Sequence, residues 1–286
     1  DTGLYCDPFY ATYPGTIRAN GAHAVSVPTR SENAFQPDGA SLAAAARATG
    51  ARTLLVNTPN NPTGVVYSRE TLEGIARAVA AHDLWLISDE VYDTQVWEGA
   101  HLSPRALPGM AARALVVGSM SKSHAMTGSR LGWIVAAPEV IEAVTVLATN
   151  TTYGVPAFVQ DAALFALSQG EAFEAAVAAP FARRRGIARE VLAGSNALRL
   201  IPAQGAMFVM LDVRATGLSG EAFAAQLLAD EAIAVMPGES FGQSSAGHVR
   251  VAMTVADEAF ADALGRLSRF AARVAGAQAQ GGHPVG

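Results

Sequence analysis

Lysine occurs once in this sequence of 286 residues, at position 122, while nineteen of its twenty basic Lys and Arg side chains are arginine. An alanine-rich composition that favours arginine over lysine accounts for the scarcity. It does not account for the place of the exception, in SMSKSHAMTGSRLGW (119–133), among Ser119, Ser121 and Arg130. An amine in such a setting can bind phosphate, attack a carbonyl carbon, or simply sit on the surface. The common phosphate loop needs G-x-x-x-x-G-K-[ST], which is absent, and no G-x-G-x-x-G follows a strand-like run. Two hydroxyls and a guanidinium remain, and those groups hold a phosphate monoester dianion.

A reactive amine beside a phosphate cup suggests an aldehyde cofactor anchored by its phosphate, namely pyridoxal phosphate. That chemistry sets further demands. The pyridine nitrogen needs an ionised carboxylate to stay protonated, so that the ring can draw electrons. Asp89 follows the apolar run LWLIS (84–88), with Tyr92 three residues on. The ring's phenolate oxygen needs hydrogen-bond donors, for which Tyr92 and the amide of Asn61, in NTPNNPTG (57–64), are candidates. Each has a local explanation too. Asp89 could cap a helix after a strand, and an Asn/Pro-rich stretch is a turn on its own account. His124 is a tempting second base, but packing behind the site is the simpler role; Met120, Met126 and Met207 read as packing residues.

The elements that must position these groups are short apolar runs alternating with longer helical patterns. AVSVP (24–28), TLLVN (53–57), LWLIS (84–88), ALVVGS (114–119) and GWIVAA (132–137) read as strands covered on both faces. Residues 38–49, 68–82 and 138–149 carry helical periodicity, the second opening on Ser68 as an N-cap. This alternation predicts an α/β fold, and places Lys122 and Asp89 at the carboxyl edge of the sheet, where such folds hold ligands. After Gln169-Gly170 the pattern changes. A long helix over 171–193 precedes strands at 198–201, 206–213, 233–237 and 248–253 and helices at 219–230 and 257–275, an α+β arrangement. The expected division is a large domain, 1–168, and a smaller one, 169–286, with a disordered tail from about 276.

Composition closes off several classes. Half the residues are hydrophobic and 16% charged, the balance of a globular protein. A formal charge of −5 argues against a nucleic-acid partner. The cluster Arg183-Arg184-Arg185 reads as a solvated helix face. Cys6, the only cysteine, allows no internal disulfide and no cysteine metal cluster, which suits the cytoplasm. No run of about 18 apolar residues suggests a membrane span, and the glycosylation match at Asn150-Thr151-Thr152 is read as chance.

NNPTG (60–64), SDEVY (88–92), SKSHAMTGSRLGW (121–133) and GHVRVAM (247–253), in this order, resemble the fold-type-I pyridoxal-phosphate-dependent aminotransferases of the aspartate aminotransferase superfamily, class I and II. The resemblance spans roughly residues 5–275. It implies a mostly parallel large-domain sheet with a smaller α+β domain, and a homodimer with the site at its interface. It implies that Lys122 forms the Schiff base and moves the proton, that Asp89 pairs with the pyridinium, and that Tyr92 and Asn61 bond the phenolate oxygen. Ser119, Ser121 and Arg130 would bind the phosphate, and Arg250, with Asn61, the substrate carboxylate. Tyr10 would stack on the pyridine ring, with Phe9 as the fallback. The family's N-terminal arm and phosphate-facing helix are not seen ahead of Asp1. SKSHAMTGSRLGW together with TTYGVPAFVQDAA (151–163) is similar to arginine–pyruvate transaminases. The expected activity is transfer of an amino group from an L-amino acid to a 2-oxo acid by ping-pong chemistry (class 2.6.1), with no metal. A C–S lyase on the same cofactor, or the aminotransferase-like sensor domain of a transcription regulator, are the alternatives.

Overall fold

The computed structural model describes residues 1–281. Six strands form one sheet: β1 (Thr2–Asp7), β2 (His23–Pro28), β3 (Thr53–Asn57), β4 (Trp85–Asp89), β5 (Ala114–Ser119) and β6 (Gly132–Val135). Their order is β2-β1-β3-β4-β5-β6, parallel throughout except for β6, which runs antiparallel to β5. Helices connect them: α1 (Tyr13–Ala19), α2 (Gly39–Thr49), α3 (Arg69–Ala81), α4 (Met120–Ser123) and, beyond β6, α5 (Pro138–Thr151), α6 (Ala157–Ser168) and α7 (Glu171–Val191). A second, antiparallel sheet holds β7 (Arg199–Leu200), β8 (Phe208–Asp212), β9 (Met236–Pro237) and β10 (His248–Ala252), in the order β7-β8-β10-β9. It packs with α8 (Gly220–Glu231) and α9 (Asp257–Gly281).

The fold is therefore the expected α/β arrangement with a separate smaller sheet. Leu54, Leu72, Ile75, Leu84 and Leu86 are fully buried in the first core; each gains about 1.5–3 kcal/mol from burial. Val209, Leu211, Phe223, Val249 and Phe270 form the second. Ile201 and Met210 pack into the first core, so the two share a seam. No described helix is long and apolar enough to cross a membrane.

Three expectations need correction. Burial on both faces holds for β1, is only partial along β3, β4 and β5, and fails for β2 and β6, the edges of the sheet; Trp133, Ile134 and Val135 on β6 are 39%, 38% and 46% exposed. Arg184 and Arg185 do not form a solvated face. Arg184 binds Asp257 at 2.7 Å and Arg185 binds Glu98, tying α7 to α9 and to the loop after β4. A charge run read one-dimensionally hides partners that lie far along the chain. The C-terminal helix does not stop near 275. It continues to Gly281 through an alanine- and glutamine-rich stretch with good helix propensity, and residues 282–286 lie outside the described residues. Helix α6 had no clear signal because AFVQDAALFALS is apolar around most of its circumference.

Ser68 caps α3 as expected, accepting from Thr71 N at 3.1 Å. Helices α2 and α3 cross at two glycines. A Cβ on Gly39 would lie 2.6 Å from the Gly74 carbonyl oxygen, whereas one on Gly74 would meet nothing closer than 3.6 Å. Gly39→Ala should therefore destabilise the protein by about 1–3 kcal/mol through overpacking. Gly74→Ala, in a helix interior, should stabilise it by up to about 1 kcal/mol. Urea unfolding of the two variants checks both signs.

Candidate active site

Parallel pairing brings the carboxyl ends of neighbouring strands level. Asn57, the last residue of β3, stands beside Asp89, the last of β4, and Asp89 beside Val117 of β5. The groups that follow these ends converge on a cleft of about 500 Å³. Every site residue expected from the sequence lines it: Tyr10, Asn61, Asp89, Tyr92, Ser119, Ser121, Lys122, Arg130 and, from β10 of the second sheet, Arg250. Phe9 does not. Its ring packs edge-to-face on Tyr5 at 4.9 Å and faces a separate small void, so Tyr10 is the aromatic in the cleft.

Asp89 is the most constrained group. Tyr13 Oη donates to its Oδ2 at 2.5 Å, Val91 N donates to Oδ1 at 3.2 Å, and Asn57 Nδ2 donates to its main-chain oxygen at 2.9 Å. Burial raises the Asp89 pKa, and the Tyr13 and Val91 hydrogen bonds oppose that rise by favouring the carboxylate. Burial likewise raises the Tyr13 and Tyr92 phenols. The carboxylate is thus an acceptor facing groups that keep their protons.

Lys122 follows β5 on α4, a single turn of helix. Ser119 Oγ caps that turn, accepting from Ser121 N at 3.0 Å, and buried Gln95 donates from Nε2 to the Lys122 carbonyl at 3.2 Å. The lysine side chain is half-buried. Its pKa is lowered, chiefly by desolvation and then by the charges of Arg130 and Arg250. The amine is thereby shifted toward the neutral form that can act as a nucleophile or base. Arg130 lies at the open end at φ +53°, donating to Thr127 O at 2.9 Å.

Arg250 crosses from the second sheet to the first. Its Nη1 donates to Asn61 Oδ1 at 2.8 Å, and its guanidinium carbon lies 4.3 Å from the Phe208 ring centre and 4.6 Å from that of Phe241. Asn61 is held in turn, its main-chain N donating to Asn57 Oδ1 at 2.8 Å. The NNPTG loop ends at Gly64, at φ +72°, where a Cβ would lie 2.8 Å from the Phe208 carbonyl; only glycine lets the loop dock there.

His124 stays behind the cleft, as expected. Its Nδ1 lies 2.8 Å from Ser123 Oγ, and its ring stacks on Phe173. Sequence reasoning missed Tyr13, Asn57, Thr127 and Phe208, which also line the cleft. Tyr13 had a usable signal, one turn beyond Tyr10 at the start of a helix. Asn57 had another, as the terminal polar residue of a strand just like Asp89. Phe208 had none, since its position follows only from the β8–β10 pairing.

A family description, Aminotransferase class I and II, matches residues 1–267. The chain belongs to that family. It is a transaminase by this membership, and its relatives agree. It is 42% identical to the arginine–pyruvate transaminase AruH of Pseudomonas aeruginosa, over 96% of this chain and 70% of that protein. It is 36% identical to an aspartate/prephenate aminotransferase of Thermus thermophilus, again over 96% of this chain and 70% of the relative. Among solved structures, an aspartate aminotransferase from Thermus thermophilus with maleate superposes with a TM-score of 0.86 at 34% identity, over 94% of this chain and 69% of the other. An aromatic aminotransferase from Pyrococcus horikoshii gives 0.89 at 31%, over 96% and 73%. The chain spans about 70% of the length of these proteins.

The raised Asp89 pKa carries a stability consequence. A carboxylate whose folded pKa exceeds its unfolded value favours folding below the unfolded pKa, and that contribution is lost as pH rises through the folded one. Asp89→Asn should therefore melt higher than wild type at pH 7 in the ligand-free protein. The gap should close on acidification into the carboxylate range, as a thermal-melt series across pH would show.

Proposed function

We propose that this transaminase uses pyridoxal phosphate and moves an amino group from arginine to pyruvate in two half-reactions. The observation that carries the cofactor reading is the placement of the chain's single lysine, with lowered pKa, in one cleft with a half-buried carboxylate and a hydroxyl–guanidinium set. The residues fit the group. Ser119, Ser121 and Arg130 would take its phosphate, Asp89 its ring nitrogen, Tyr92 and Asn61 its phenolate oxygen, and Tyr10 a ring face. When bound, the cofactor supplies an aldehyde that takes up amino groups and a protonated ring that draws electrons from the substrate's Cα.

The chain's own residues do the rest. Asp89, which accepts from Tyr13 Oη and Val91 N, would hold the proton of the cofactor's ring nitrogen in place. Arg250 offers a pre-set guanidinium to the substrate carboxylate, steadied on Phe208 and Phe241, and so orients Cα. Lys122 Nζ, as a neutral amine, would take the Cα proton and hand it on to the bound cofactor; burial, and then the charges of Arg130 and Arg250, keep that amine from holding its own proton too firmly. Of the cleft's aromatic side chains, Tyr13, Tyr92 and Phe208 are buried and Tyr10 is exposed.

The arginine donor rests on the 42% identity to AruH, against 36% to the aspartate/prephenate relative. We further take residues 1–168 as the cofactor-binding domain and 169–286 as the smaller domain. We place the enzyme in the cytoplasm, where buried Cys6 would stay reduced. A homodimer is the proposed assembly, and the apolar side chains exposed on α5 and α6 support it: Leu147, Phe158, Leu164 and Phe165 are each more than 60% exposed.

The test is a donor panel on the cofactor-loaded enzyme, following the visible absorbance of the bound cofactor and the keto acid formed. Arginine should bleach the absorbance fastest and pyruvate restore it, and Lys122→Ala should lose turnover by a factor of about 10³ or more, as expected for loss of a covalent and proton-transferring group. A faster response to aspartate or an aromatic amino acid would overturn the donor. Ammonia release without an added 2-oxo acid would favour the lyase reading.

A further inference from the structure

Asp7 is the last residue of β1 and is 4% exposed, yet among the described residues it forms no salt bridge. Its carboxylate accepts from two main-chain amides of a distant turn, Gln243 N at 3.0 Å and Ser244 N at 3.2 Å. Burying a carboxylate without a counter-ion is costly, and here burial raises its pKa. The contact must secure something that an apolar residue would not.

What it secures is the turn over 241–244. Gly242 sits at φ +117°, and a Cβ there would lie 2.1 Å from Asp7 Oδ1, so the turn closes directly onto the carboxylate. Two residues along, Phe9 N donates to the Phe241 carbonyl at 2.9 Å, a second tie between the same two segments. Phe241 is 2% exposed, and its ring is one of the two on which the Arg250 guanidinium rests. Arg250 Nε is buried with no hydrogen-bond partner, and Nη1 has only Asn61. The direction of the guanidinium is thus set largely by aromatic contact.

We propose that Asp7 is a positioning residue for recognition of the substrate carboxylate. It pins the 241–244 turn of the smaller sheet to the end of β1 and so seats Phe241 against Arg250. It touches neither substrate nor cofactor. The proposal rests on the reading of Arg250 as the carboxylate-binding group and names the chemistry that reading needs: a guanidinium already aimed before the acid arrives, for donor and acceptor alike, since both carry the same carboxylate.

The test compares Asp7→Asn, Phe241→Leu, the double variant and Arg250→Lys as cofactor-loaded enzymes, with propionate as a simple carboxylate inhibitor. In Asp7→Asn the side-chain amide confronts one of the two donors, so one hydrogen bond to a charged acceptor is lost. KM for the amino acid and the 2-oxo acid, and the inhibition constant of propionate, should each rise about tenfold. The kcat should hold within about twofold, as for a loss of uniform binding. Affinity for pyridoxal phosphate without substrate should not change. Phe241→Leu should raise the same constants, and adding Asp7→Asn to it should raise them no further, because Asp7 acts through Phe241. Unchanged constants in folded Asp7→Asn, or multiplying effects in the double variant, would overturn the proposal. Should Asp7→Asn not fold, Asp7→Ser, which keeps one acceptor, takes its place under the same criteria. Arg250→Lys separates the two layers. If it leaves KM and propionate inhibition unchanged, the reading of Arg250 fails; if it raises both while Asp7→Asn raises neither, only the role of Asp7 fails.

Discussion

Asp89 is a carboxylate at the end of a strand buried in the middle of a parallel sheet, and most of the site follows from the need to keep it charged there. An isolated buried carboxylate would neutralise itself by taking a proton. Tyr13, the Val91 amide and the strand-end register with Asn57 surround it with partners instead. Those partners come from three separate stretches of chain, so the sheet must be complete before the charge is tolerated. The next strand, β5, ends at Ser119, and Lys122 follows it on α4, lining the same cleft.

A second constraint joins the two sheets. The smaller sheet reaches the cleft through Phe208 and Arg250, and the groups around that arginine fix its direction. Asn61 accepts from it, Phe208 and Phe241 carry its face, and Gly64 lets the NNPTG loop approach the β8 backbone closely enough for Asn61 to be in range. Guanidinium suits this post because its plane stacks on rings while its edge still offers paired donors to a carboxylate. Lys122 occupies the opposite kind of post. There a group that can lose its proton is needed, and arginine cannot do that.

Much of this was legible in the sequence. Strand cores written in Val, Leu and Ile mark themselves, and the polar residues at or just past their ends, Asp89, Ser119 and Lys122, inherit a position from them. The unread part is what depends on pairing across the chain. Tyr13 and Asn57 look ordinary until Asp89 is seen between them. Arg184 and Arg185 look solvated until α9 and the loop after β4 are placed against α7. Asp7 reads as a residue before a proline, and only the fold shows it buried against main-chain amides more than 230 positions away. Exposure on β6 was missed for a related reason. A continuous apolar run announces that a strand has faces to bury, not what covers them.

The central claim, that the one lysine is the group that bonds the cofactor, has a direct chemical readout. Reduction of the pyridoxal-phosphate-loaded protein with borohydride makes such a bond permanent, and peptide mass spectrometry then locates it. The account predicts one phosphopyridoxyl adduct per chain, on Lys122, and its absence in Lys122→Ala. A loaded, active protein whose Lys122 peptide emerges unmodified after reduction would contradict it.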